Sequence, residues 1–347
     1  MLHKGCVIGH FGYNKNLLNG QTVKTKIITS ELEKKLGSNQ VLKIDTGGGA
    51  LSYLKLPFQI FGALRKCKNV IILPAKNGLR VIAPILVLEN ILFKRSLHYI
   101  VIGGWLSDFL KDRSLLAKFL KCFDCIYAET EELKRSLEKQ GFTNISVMPN
   151  CKELAILDEP ELIFNNETPL KLCTFSRVMK EKGIEDAVSA VQCINHKHGE
   201  TVYTLDIYGQ IDSEQIEWFN KLQNVFPDYI KYCGSVPYDL STKTLKDYFA
   251  LLFPTRYFTE GVPGTIIDAY AAGVPVIYSR WESASDVIKE GVTGLGYTFA
   301  NIDELELLLD DIYKEPRKFN DMKKNCLKFA YKYIPKNVIA LLVNNLK

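Results

Sequence analysis

No stretch of this 347-residue chain stays apolar for the ~20 residues needed to cross a bilayer. The longest candidate, VIAPILVLENILF at residues 81–93, is broken by Pro84, Glu89 and Asn90, so no membrane span is expected. The start, MLHKGCVIGHFGY, shows neither the long apolar segment nor the small-residue cleavage site of a secretory leader. Histidine is scarce, with five dispersed residues and no HExxH, which argues against a histidine metal centre. Walker A, GxSxG and GxGxxG sequences are missing, and the last absence disfavours a nicotinamide dehydrogenase. No two aspartates stand as DxD, the spacing that holds a divalent cation against a diphosphate. Zinc-finger spacing and RNP-like aromatic motifs are also absent, so nucleic acid is not an expected partner. Neither repeats of 20 to 50 residues nor low-complexity tracts occur, which excludes solenoids and disorder.

What remains is the composition of an ordinary globular protein, 47% hydrophobic and 24% charged, long enough for two domains of roughly 150 residues. Nine cysteines, an odd number, fit a reducing cytoplasm better than a disulfide framework. Cys122 and Cys125 have CxxC spacing, but no second pair or nearby histidine completes a zinc set. Charge is uneven. Residues 1–150 hold 22 Lys and Arg against 11 Asp and Glu, whereas the rest hold 22 against 28. Either the amino half meets an anionic partner, a membrane surface or a phosphorylated ligand, or its lysines are solvated helix backs.

Short β-branched runs alternate with amphipathic stretches throughout, the pattern of parallel sheets covered by helices on both faces. Strands are expected at GCVIGH, QVLKID, NVIIL, HYIVIGG, DCIYA and NISVM, then, after a loop-like stretch from Met148, at LKLCTF, YTLDIYG, IKYCG, YFALLFP, GVPVIYS and GLGYT. The fold class is α/β with two doubly wound Rossmann-like domains, 1–165 and 168–330. The terminal helix at 335–347 is expected to pack back on the first domain. A ligand should sit at the carboxyl ends of the strands, in a cleft the two domains face across. DTGGGA, residues 45–50, follows a strand but lacks dinucleotide glycine spacing and reads as a turn.

Chemistry concentrates in the second half. Arg177 and Lys182, in SRVMKEKGIEDAV, follow a strand and precede a helix, where they are either surface cations or ligands for a diphosphate. In RYFTEGVPGTIIDAYAAGVPVI, Gly261 and Gly264 allow close backbone approach, and the amides of Gly261, Val262, Gly264 and Thr265 can point at an anion where a helix begins, Pro263 having none. Glu260 would repel that anion, so its carboxylate better accepts hydrogen bonds from neutral hydroxyls. Asp268 can take a second set. A sugar on one side of a diphosphate and a ribose on the other fits this combination.

These residues resemble the retaining GT-B glycosyltransferases of family 4, also called glycosyl transferases group 1. FSRVMKEKG, LDIYGQ, YCGSVPYDL, FPTRYFTEGVPGTIIDAYAAGVPVI and WESASDVIKEGVTGLGY follow the family pattern in order. The resemblance implies that Arg177 and Lys182 stabilise the departing nucleotide diphosphate and that Glu260 grips the donor sugar. It puts Gly261 to Thr265 at the phosphates, Gly234 to Pro237, with Val236, at the base, and Asp268 at the ribose in place of a second glutamate. Gly20 and Gln21, in NGQTVKT, look like the family's glycine loop that reaches the donor phosphates, or else simply start a helix. Gly103, Gly104 and Trp105 occupy the acceptor-side position where many relatives carry a histidine, and no general base can be named. The implied activity is anomer-retaining and metal-independent, with a nucleotide-sugar, by preference a UDP-sugar, as co-substrate and no cofactor. A glycan or lipid-pyrophosphate-linked acceptor in capsule, exopolysaccharide or O-antigen assembly is the expected partner. LSYLKLPFQIFGALRKCKNV, residues 51–70, reads either as an interfacial helix or as a core helix with a solvated end, so the expected location is cytoplasmic, with the inner membrane face as an alternative. Two rivals remain, a sugar-nucleotide 2-epimerase of similar fold and a non-catalytic nucleotide-sugar sensor.

Overall fold

The computed structural model describes residues 2–12, 20–47 and 50–347, without the side chains of 50–53. Asn19 of NGQTVKT and Gly48 and Gly49 of DTGGGA lie outside the described residues. The chain divides into two compact units, one running to Glu153 and resuming over Tyr333–Lys347, the other Leu154–Lys332.

The first unit holds a six-stranded sheet of β1 (His3–Gly9), β2 (Val41–Asp45), β3 (Cys67–Leu73), β4 (Ser96–Ile100), β5 (Cys125–Ala128) and β6 (Ile145–Val147), in the order β2-β1-β3-β4-β5-β6. Every neighbouring pair is parallel. Central strands in such a sheet are covered on both faces, which is why Val70 to Leu73 of β3 form an unbroken buried apolar run instead of alternating. The helices α1 (Gly20–Leu36), α2 (Ala50–Lys66) and α3 (Lys76–Phe93) pack on it. Residues 335–347 return to this unit, where Val338, Ile339 and Leu342 share a core with Ile28 and Leu32 of α1. The buried face of α1 is unusually polar. Lys24 crosses it to Glu129, 2.5 Å away, and donates to the Val101 carbonyl at 3.1 Å, so a buried ion pair pins α1 to the chain just beyond β4 and β5. All nine cysteines are free thiols.

The second unit repeats the design with β7 (Leu170–Phe175), β8 (Tyr203–Tyr208), β9 (Ile230–Gly234), β10 (Ala250–Phe253), β11 (Val276–Ser279) and β12 (Gly294–Tyr297), ordered β12-β11-β10-β7-β8-β9, all parallel. Strand order reverses beside β1 in one sheet and beside β7 in the other. Loops leaving the carboxyl ends of adjacent strands diverge at such a point and leave room for a ligand.

His98 shows why a strand residue is not a base. It lies inside β4 with no exposed surface, its Nε2 3.1 Å from Ser96 Oγ and its Nδ1 3.3 Å from the Tyr127 hydroxyl. Burial lowers its pKa to about 4, so the ring stays neutral in the folded unit while the unfolded chain protonates near the usual 6.5. The contribution is complete above pH 6.5 and is lost as pH falls toward 4, a decline of about 3 kcal/mol. Hydrogen exchange of β3 and β4 amides at pH 7 and pH 4.5 should reveal it, and His98→Gln should flatten the difference. An equally steep decline in the variant would assign the acid sensitivity elsewhere.

Candidate active site

β7 ends at Phe175, and the chain turns through Arg177 into a tight turn, Lys180–Lys182, before the helix Ile184–His198. The reversal needs Gly183, whose φ of 68° a side chain rarely tolerates. An added Cβ there would lie 1.8 Å from the Pro254 carbonyl oxygen, so this glycine lets the loop after β7 press against the loop after β10. Further contacts tie the two loops together. The Arg256 amide donates to the Glu181 carbonyl at 2.9 Å, and the Arg256 guanidinium forks onto Asp186 through Nε to Oδ2 at 2.7 Å and Nη2 to Oδ1 at 2.5 Å. That carboxylate raises the guanidinium pKa further above its already high value.

The consequence of this bracing is that Lys182 Nζ donates directly to Glu260 Oε1 across 78 residues of sequence. Thr255 Oγ1 also lies 3.2 Å from Glu260 Oε1, and both members of the ion pair are largely but not wholly buried. From Glu260 the chain runs through buried Gly261, Val262 and Pro263 into the helix Gly264–Ala271. The first amides of a helix have no carbonyl partner within it. Thr265 Oγ1, in that first turn, has no hydrogen-bond partner among the described residues. One turn later Asp268 is buried, and its Oδ1 accepts from Ser241 Oγ at 3.0 Å.

Arg177 stands apart. Its side chain is 53% exposed and its Nη1 is 3.5 Å from Asp212 Oδ2, a loose contact that leaves the guanidinium available. Gly234, at φ 75°, ends β9 and accepts from the Gly209 amide at 2.8 Å, and Val236 follows it two residues later. Two cations, two carboxylates and a helix N-terminus therefore follow the carboxyl ends of β7 and β10 within one unit.

Residues 158–329 match the family model described as Glycosyl transferases group 1. The second unit carries a group 1 glycosyltransferase domain. The amylovoran biosynthesis glycosyltransferase AmsK of Erwinia amylovora is 23% identical over 161 residues, 45% of this chain, and the match spans only 38% of that relative's length. Among solved structures, Anabaena HepE in complex with UDP-glucose aligns at a TM-score of 0.75 with 14% identity over 99% of both chains. A glycosyltransferase from Rickettsia africae aligns at 0.71 with 14% identity over 99% of this chain and 98% of that one. With its two six-stranded parallel sheets, the chain has the GT-B fold of these glycosyltransferases.

Within the group 1 domain, then, the structure brings Lys182 and Glu260 into contact, places Gly261 to Thr265 directly after them, and buries Asp268 against Ser241. The remaining candidates belong to the first unit. Gly20 opens α1, and Gln21 Nε2 donates to the carbonyl of Leu73, the last residue of β3, at 3.1 Å. Gly103 has a φ of 83°, and Trp105 is buried after β4, its indole donating to the Ile102 carbonyl at 2.6 Å with Lys76 over the ring. A cluster that sequence reasoning missed lies at the end of β1 and β2. His10 Nδ1 is 2.8 Å from Thr22 Oγ1, and Asp45 accepts from the amides of Phe11 and Gly47. Thr255, Arg256, Asp186 and Gly183 were missed as well, because partners 70 or more residues apart leave no periodic signal. A separate cavity of about 470 Å³ opens on the β7-β8-β9 face, lined by Lys171, Asp206, Tyr208 and Tyr248 among others, and shares no residue with the Lys182 and Glu260 loops.

Proposed function

We propose that the protein transfers a sugar from a nucleotide-sugar, a UDP-sugar by preference, to a glycan or lipid-pyrophosphate-linked acceptor, with retention of anomeric configuration and without a metal ion. The observation that carries this reading is the Lys182 to Glu260 contact at the start of the helix Gly264–Ala271, inside a group 1 glycosyltransferase domain. In the free protein each group neutralises the other. An arriving diphosphate draws Lys182 onto its oxygens, and the released Glu260 carboxylate accepts hydroxyls of the donor sugar. Arg177, loosely held by Asp212, supplies a second cation, and the amides from Gly261 to Thr265, except that of Pro263, meet the phosphates. Asp268, fixed by Ser241, takes the ribose, and Gly234 to Pro237 line the base. Gly20 and Gln21 approach the donor phosphates, and Gly103, Gly104 and Trp105 line the acceptor side.

In the reaction the bond from the anomeric carbon to the β-phosphate oxygen breaks while the acceptor oxygen bonds that carbon on the same face. The acceptor proton passes to the leaving phosphate oxygen, so no protein base is needed. Catalysis lies in the charge preorganised where the diphosphate develops. The similarity to one amylovoran biosynthesis glycosyltransferase, AmsK, supports a place in capsule, exopolysaccharide or O-antigen synthesis at the cytoplasmic membrane face.

Calorimetric titration of UDP and GDP in the presence of EDTA tests the reading. UDP should bind with the chelator present and bind more weakly to Arg177→Ala. Absence of UDP binding, or binding restored only by a divalent metal, would overturn the donor assignment.

A further inference from the structure

We propose that the outer face of α2 and α3 in the first unit is a docking surface for an anionic phospholipid bilayer. This deepens the lipid-linked acceptor reading and rests on it for its purpose. Each helix is apolar on two sides. α2 buries Leu56, Ile60, Ala63 and Leu64 against the sheet, yet also presents Leu54, Phe58 and Phe61 outward at a spacing of four and three residues, Leu54 72% and Phe58 82% exposed. α3 buries Leu79, Ile82, Ala83 and Leu86 and presents Val81, Leu88, Ile91 and Leu92, the last 74% exposed. A helix with a second apolar stripe leaves that stripe uncovered when the sheet covers only the first.

The two outward stripes belong to one surface. Arg95, just beyond α3, donates through Nε to the Leu64 carbonyl of α2 at 2.9 Å, and the rings of Phe61 and Phe93 meet edge to face at 5.0 Å. The helices therefore run side by side with their carboxyl ends together. Cations gather there, with Arg65 and Lys66 in the last turn of α2 and Lys94 and Arg95 after α3. Across residues 50–95 the sequence holds eight Lys and Arg against one carboxylate, Glu89. An exposed apolar patch flanked by one sign of charge matches acyl chains beneath anionic headgroups. Among the described residues no helix is long and apolar enough to cross a membrane, so the surface would lie on the bilayer.

Co-sedimentation of the full chain with vesicles, without donor or acceptor, tests this. Binding to vesicles of equal parts phosphatidylglycerol and phosphatidylcholine should exceed binding to phosphatidylcholine alone by about tenfold or more and weaken with salt. The double variant Phe58→Ser, Leu92→Ser should lose about tenfold. Its melting should be unchanged, since both side chains already face solvent. A second double variant, Arg65→Ala, Lys94→Ala, should lower binding to the anionic vesicles alone. Equal binding to both vesicle types, full binding by the variants, or a wild-type dimer that Phe58→Ser dissociates would overturn the proposal, the last by showing that a second copy covers the face. Vesicle binding without UDP binding would leave this surface standing and the transferase reading fallen. The converse would do the opposite.

Discussion

Arg177→Ala is expected to lower turnover by about 10² to 10³, the scale of losing one preorganised donor at a developing charge. The structure makes this variant informative because the side chain does little for the fold. It is 53% exposed, and its 3.5 Å contact with Asp212 is of the solvent-screened kind that contributes little to stability. A melting curve like that of the wild type should therefore accompany the loss. Asp212→Asn provides the control, since releasing the guanidinium should leave turnover within a fewfold of normal. Near-normal turnover in a folded Arg177→Ala protein would remove Arg177 from the reaction.

Gly183→Ala should have the larger effect on the domain as a whole. Its methyl group would have to displace the Pro254 carbonyl, and its φ of 68° is costly for alanine as well. Backbone strain and overpacking together cost on the order of 3 kcal/mol or more. Gly199 separates the two contributions. It ends the same helix at the same φ of 68°, but an added Cβ there meets nothing within 4 Å. Gly199→Ala should then cost only the conformational strain, about 1 to 2 kcal/mol, and keep UDP binding. Gly183→Ala should lose both stability and UDP binding, because Pro254 leads directly into Thr255 and on to Glu260. Matching melting temperatures for the two variants would show that the close approach at Pro254 contributes nothing.

The two sheets were legible because central parallel strands need apolar residues on both faces, and short β-branched or aromatic runs such as NVIIL and YFALLFP meet that need. The group 1 motifs were legible for a related reason. Glycines, a carboxylate and a helix start stand there in close succession, so RYFTEGVPGTIIDAY carries its pattern in local order. His98 was readable as a strand residue but not as a buried neutral one, since exposure depends on which helices cover β4.

Long-range pairing could not be read in this way. Arg256 and Asp186 look like ordinary surface charges in sequence, and only the fold shows their forked contact. Apolar residues on α2 and α3 look alike in sequence too, yet the sheet covers Leu56 and Ile60 and leaves Phe58 and Leu92 outside. By itself the sequence determined the α/β class, the strand positions and the residue types of the candidate site, because helix and strand periods and turn chemistry act over a few residues. Only the tertiary structure decided that Lys182 meets Glu260, that Gly183 has no room for a side chain, and that Asp268 is held by Ser241. Each of those depends on two segments distant in the chain arriving at the same place, and that is set by the packing of the whole sheet.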